Sequence, residues 1–213
     1  MKYTGHLALL LAAVILQACD LSGAHAQTAR PAEPCTASAT FALPAVGASF
    51  VYEVKKNGAV VSILKREVIA VKNGFVTTRD TYTIPGAPAD GALERVVTEW
   101  FGLFPASYEA NGQKFETQIA GFDPAKLTAT RPSATMSASG SFTSSFPGDS
   151  ASGSYKVTVT ALGCVPGSGA RRYQVVEQKG KAKTVFVREL DVGRGVVLVS
   201  RTEGTGASMV LKE

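Results

Sequence analysis

From residue 47 onward the chain alternates. Phe50, Tyr52 and Val54 fall on one parity, and Val51, Glu53 and Lys55 on the other. A period of two places successive side chains on opposite faces of a strand. The run "ASFVYEVKKNGAVVSILKREVIAVKNGFVTTRDTYTI" is also rich in β-branched and aromatic residues. Asn57-Gly58 and Asn73-Gly74 interrupt it. Asn-Gly accepts positive φ at both central positions of a type I′ turn, so the run predicts a three-stranded antiparallel meander.

The pattern continues over 75–84 and 91–101, divided by the turn "PGAPADG", and again over 112–119. "SYKVTVTAL" at 154–162 alternates cleanly, and "RRYQVVEQ", "AKTVFVREL" and "GVVLVSRTE" predict three closing strands. Between the two blocks, residues 123–153 are dominated by Ser, Thr, Ala and Gly, which predicts a long surface loop with short polar strands in it, as around Ser141–Phe146. No segment of 47–213 holds a 3.6-residue period over enough residues for a long helix. The expectation is an all-β domain over 47–213, with antiparallel meanders forming a sandwich or half-open barrel.

The N-terminus carries a different pattern. Lys2 precedes an apolar run from Leu7 to Leu16, too short to span a bilayer comfortably. A charged start, a short apolar core and small residues after it read as an export signal. Two cuts are possible. Ala24-His25-Ala26 has the small–x–small form of a general signal-peptidase site. Leu16-Gln17-Ala18-Cys19 places a cysteine almost at the end of the apolar run, where a lipid-attachment site belongs. The second is favoured: residues 1–18 are the signal, and Cys19 carries the lipid. Residues 19–46 are small, polar and proline-bearing, and read as a tether. The alternative, cleavage after Ala26, releases a soluble protein. Asp20, directly after Cys19, resembles an inner-membrane retention signal.

The cysteines agree with this choice. There are three: Cys19, Cys35 and Cys164. If Cys19 is lipidated, Cys35 and Cys164 remain as an even pair in an oxidising compartment. A bridge between them would close about 130 residues and contribute somewhat under ~5 kcal/mol before strain.

Charge and chemistry exclude more than they assign. The chain carries a formal net charge of +5, with no dense basic stripe, which disfavours a nucleic-acid partner. The mild excess suits anionic lipid or an envelope polymer, with "KGKAK" at 179–183 and Arg171-Arg172 as its main concentration. The two histidines, His6 and His25, both precede the β domain, so Ser-His-Asp, Cys-His and His-ligated zinc arrangements have no histidine there. No nucleophile elbow or phosphate-cradling loop is present, and no cofactor or metal is expected. The densest acids, Glu94, Glu99, Glu109, Glu116 and Asp123, are read as solvated charges on outer strand faces, not as a hydrolase pair. "EWFGLFP" at 99–105 crowds Trp100, Phe101, Leu103 and Phe104. It is read first as a core plug, with an apolar ligand site formed by Trp100, Phe101 and Phe104 as the alternative.

Taken together, "LQAC", the opening "GASFVYEVKKNG" and the paired meanders resemble small bacterial envelope lipoproteins of unassigned function. The resemblance implies a non-enzymatic, membrane-anchored β protein facing the periplasm. A narrower likeness is to the half-open barrels of lipoprotein carrier and receptor proteins, which implies a concave sheet that holds an acyl chain.

Overall fold

A computed structural model describes residues 41–88, 92–120, 122 and 134–212. The described residues contain twelve strands and no helix. In chain order they are β1 (Ser49–Lys56), β2 (Ala59–Lys72), β3 (Phe75–Thr83), β4 (Leu93–Trp100), β5 (Phe104–Ala110) and β6 (Gln113–Ala120). The second half contributes β7 (Thr135–Phe146), β8 (Asp149–Cys164), β9 (Arg171–Lys179), β10 (Ala182–Asp191), β11 (Val196–Thr202) and β12 (Ala207–Leu211). Every strand pairs antiparallel with its chain neighbours, and β1 pairs with β12, which closes the sheet into a barrel. The expected all-β meander is therefore present. The sandwich or half-open form is replaced by a closed barrel because Tyr52 meets Leu211 and Lys56 meets Ala207 across the seam. Among the described strands, closure leaves no unpaired edge.

The Asn-Gly turns adopt the predicted conformation: φ is +50° and +85° at Asn57-Gly58, and +51° and +84° at Asn73-Gly74. Three expectations change. First, of the segment read as a Ser/Thr/Ala-rich loop, residues 135–146 and 149–153 belong to the β7–β8 hairpin, paired from Thr135↔Thr160 to Phe146↔Asp149. Small hydroxylated residues suffice there because half of each strand faces water; Ser137 and Thr158 hydroxyls meet at 2.8 Å on that face. Second, β5 and β12 are additional strands. Third, the tether expected to run to residue 46 ends sooner. From Phe41 the chain lies against the barrel: the Ala42 amide donates to the Val192 carbonyl, and the Gly47 amide to that of Val68.

The strands point alternately up and down, so the barrel has two unlike ends. The arm 41–48 and the β2–β3, β4–β5 and β10–β11 turns share one end, called here the arm end. The hairpin tips at 57–58, 111–112, 147–148 and 180–181 share the other, the far end. Apolar packing fills most of the arm end. Leu103, Phe104 and Leu190 are fully buried there, with Trp100, Val192 and Val197 around them. Outward positions carry charge instead: Lys65, Arg79, Glu94, Lys114, Glu116 and Lys156 are exposed or nearly so on strand faces. Val51, Val61 and Val96 are exposed on the same faces, so the outer surface is mixed and lacks the continuous apolar band of a membrane-spanning barrel. Among the described residues, no helix is long and apolar enough to cross a membrane.

Candidate functional site: the ionic interior of the barrel

The strand parity that buries apolar residues also carries charge into the interior. Leu64, Arg66 and Val68 share one face of β2, and Val97 and Glu99 share one face of β4. Arg66 forks onto Asp80 of β3, with Nε and Nη2 each donating at 2.8 Å. Its Nη1 donates to Glu99 at 2.9 Å. From the opposite wall, Arg188 of β10 donates to the other Glu99 oxygen at 2.9 Å and to the Gly102 carbonyl in the β4–β5 turn. Arg95 reaches Asp80 at 3.2 Å, and the Thr78 hydroxyl donates to Asp80 at 3.0 Å. The result is a chain, Asp80–Arg66–Glu99–Arg188, that ties two walls of the barrel across its interior.

Burial of these groups would be prohibitive without partners. Burial pushes the Glu99 carboxyl up, but Arg66 and Arg188 outweigh it and hold it down at about 2. The same carboxylates keep the Arg66 guanidinium charged against its own burial. Tyr52, beside this network, is pushed up to about 12, first by burial. A small cleft at the arm end is lined by Pro44, Tyr52 and Val196 together with Arg66 and Glu99.

A second group lies further toward the far end. Glu177 of β9 is 3 % exposed. One of its oxygens is 3.7 Å from the Lys179 ammonium, and the other has no hydrogen-bond partner. The buried Tyr155 hydroxyl faces Glu177 and feels its charge. Burial pushes the Glu177 carboxyl above the usual carboxylate range despite Lys179 and Arg188. The Lys179 ammonium sits 4.1 Å from the centroid of Phe115, whose ring stacks on Tyr108 at 5.1 Å.

The residues singled out in sequence are dispersed. Trp100 and Phe104 are buried at the arm end, stacked on each other at 5.8 Å, with Phe122 edge-on to both. Phe101, at φ +45°, packs on Phe41 and over Gly74. The three rings thus pack into the arm end. Of the acids, Glu94, Glu109 and Glu116 are exposed and Asp123 lies outside the described residues. Glu99 corrects the outer-face reading, since it shares the inward parity of Arg95 and Val97. In "KGKAK", Lys181 and Lys183 are exposed, whereas Lys179 turns inward. Arg171 is buried and Arg172 pairs outside with Glu189 at 2.9 Å. Cys164 ends β8; Cys19 and Cys35 lie outside the described residues. The interior set Arg66, Asp80, Arg95, Glu177 and Arg188 escaped the sequence reading. Its signal was available as charged residues two positions from apolar ones on the buried parity, as in Leu64-x-Arg66-x-Val68.

No protein-family model matches the chain, and no curated protein matches it. Two solved structures are similar to it. One is a candidate exported protein with a YmcC-like fold from Bacteroides fragilis, 13 % identical, covering 81 % of this chain and 97 % of its own, with a TM-score of 0.46. The other is a candidate lipoprotein from Parabacteroides distasonis, 11 % identical, covering 82 % of this chain and 98 % of its own, with a TM-score of 0.43.

Proposed function

We propose that this chain is an exported, lipid-anchored protein of a bacterial cell envelope, and that its barrel has a non-enzymatic binding role on the periplasmic side. The observation that carries the reading is Leu16-Gln17-Ala18-Cys19 at the end of the apolar run, followed by a polar spacer that reaches the barrel at Phe41. Cys19 carries the lipid, and a Cys35–Cys164 bridge belongs to the same oxidising compartment. The charged outer faces of the strands suit a barrel that stands in water and is held to the membrane by its anchor alone. The non-enzymatic part rests on the interior carboxylates. Asp80 and Glu99 are each held by two arginines and serve as structural ions.

Intact mass of the protein from its own host, beside Cys19→Ala, tests the anchor. A lipid-sized increment that disappears in the variant is the expected result. A chain that begins at Gln27 without lipid makes the protein soluble. Thiol alkylation before and after reduction tests the bridge: two thiols that react only after reduction are expected.

A further inference from the structure

The arm is tied to the barrel unevenly. From Phe41 to Val46 it runs over the arm end, from the β10–β11 turn toward β2. Along this stretch, among the described residues, a single backbone hydrogen bond reaches the barrel: the Ala42 amide donates to the Val192 carbonyl at 2.9 Å. The next ties come just ahead of β1. The Gly47 amide donates to the Val68 carbonyl at 2.8 Å, and the Val68 amide to the Ala48 carbonyl at 2.9 Å. Gly47 stands at φ +87°, a conformation that glycine adopts freely and other residues rarely do.

The remaining contacts are close but few. Gly195 leaves room where the arm passes: a Cβ there would lie 2.4 Å from the Ala42 carbonyl oxygen. The Phe41 ring packs on Phe101 at 5.5 Å and on Tyr173 at 5.8 Å. Pro44 is buried and has no amide to leave unpaired, and it holds Leu43 extended, which stiffens the stretch. Beyond it the arm turns out to water, with Val46 63 % exposed.

What lies beneath gives the arrangement its consequence. Pro44 is one wall of the cleft that Tyr52, Arg66 and Glu99 also line. Phe41 braces the β4–β5 turn, where Phe101 is held at φ +45°, an unusual backbone for a bulky residue. The next carbonyl in that turn, Gly102, accepts from Arg188. A segment held by one backbone hydrogen bond and a few side-chain contacts opens at far smaller cost than strands paired on both sides.

We propose that residues 41–46 form a lid that swings about Gly47 while the barrel stays folded, and that its opening gives small solutes a route from water into the arm end, to the cleft lined by Arg66 and Glu99. Lifting Pro44 removes a wall of that cleft, and lifting Phe41 frees Phe101 to leave its strained backbone. The lid stands whether or not Cys19 carries lipid.

Hydrogen exchange of the full mature protein, read amide by amide, tests the hinge. The Ala42 amide should exchange about tenfold or more ahead of the Gly47 and Val68 amides and of those in β8 and β9. Trp100 tests the route. It is the chain's one tryptophan, 5 % exposed and 4.4 Å from the Phe101 ring, so quenching by acrylamide reports access beneath the lid. Phe41→Ala removes the brace and should speed exchange at Ala42 about tenfold or more and raise the quenching, with a thermal midpoint close to the parent's. Gly47→Ala strains the closed hinge although its Cβ would touch nothing within 4 Å, and should act in the same direction. Exchange at Ala42 that keeps pace with β8 and β9 in the parent protein overturns the lid without recourse to a variant. Unchanged Trp100 quenching in both folded variants overturns the route. Loss of the cooperative melt in Phe41→Ala would place 41–46 in the folding unit of the barrel, and the lid falls.

Discussion

Glu99 is the residue on which the interior turns. It accepts from Arg66 on one wall and Arg188 on the other, at 2.9 Å each. Glu99→Ala strands two buried guanidinium groups, and removal of one partner of a buried ion pair typically costs about 3–5 kcal/mol. Loss of the cooperative thermal transition, or a large drop in its midpoint, is the expected outcome. The same residue sets an acid limb. Its carboxyl is held at about 2 in the folded protein against an ordinary value of 4.5. Between those values the unfolded chain binds the proton that the folded one refuses, so this contribution is full above the ordinary value and is lost as pH falls toward 2. Glu177 has the opposite sign. Burial raises its pKa, so the folded protein holds a proton that the unfolded one releases. Stability from this group is full below the ordinary carboxylate pKa and declines as pH rises through the folded value. Glu177→Gln should therefore raise the thermal midpoint at neutral pH and leave it nearly unchanged in acid, as read by melts across that range.

Individual strands show why part of this fold was legible. The Asn-Gly turns, β1 to β4 and β8 to β11 follow from alternation and turn chemistry, which are local properties. β7 was legible only in part, at Ser141–Phe146, because "TMSASGSFTSSF" lacks the apolar contrast that marks a strand. It is held by its long pairing with β8 and by close approach to β6. At Gly140 a Cβ would lie 1.8 Å from the Gln118 carbonyl oxygen, a backbone atom that cannot yield without moving its strand. Gly140→Ala should push β6 and β7 apart and destabilise by about 1–3 kcal/mol, the usual range for overpacking. Denaturant midpoints measure this. A neutral result would mean that the two strands sit further apart than described. The ionic interior was illegible for a related reason. Charged residues on a strand are ordinarily assigned to water, and nothing local says that Arg66 and Arg188, more than a hundred residues apart, will share Glu99. Only closure of the sheet brings β2, β4 and β10 around one space.

Closure itself is a property of the whole molecule, and it depends on the shortest strand. β12 has five residues, ASMVL, and no local signal beyond the glycines of the turn before it, Gly204 and Gly206. It pairs on one side with β11 and on the other with β1, where Val54 meets Met209 and Tyr52 meets Leu211. Without it, β1 and β11 become edges with unpaired amides and carbonyls, the usual template for intermolecular pairing. The interior suffers as well. Tyr52 and Val54 line the wall beside Arg66, and water admitted there would weaken an ion chain that relies on a low-dielectric surrounding. A half-open barrel would tolerate the loss of a terminal strand, since one edge merely moves inward by one position. A closed barrel built around a cross-wall ion network would not. A chain ending after Gly206 should therefore lose its cooperative melt and elute as aggregate in size exclusion, although it keeps eleven of the twelve strands. A monomeric product with the parent's thermal midpoint would show that the β1–β12 seam contributes little and that the sheet stands open in solution.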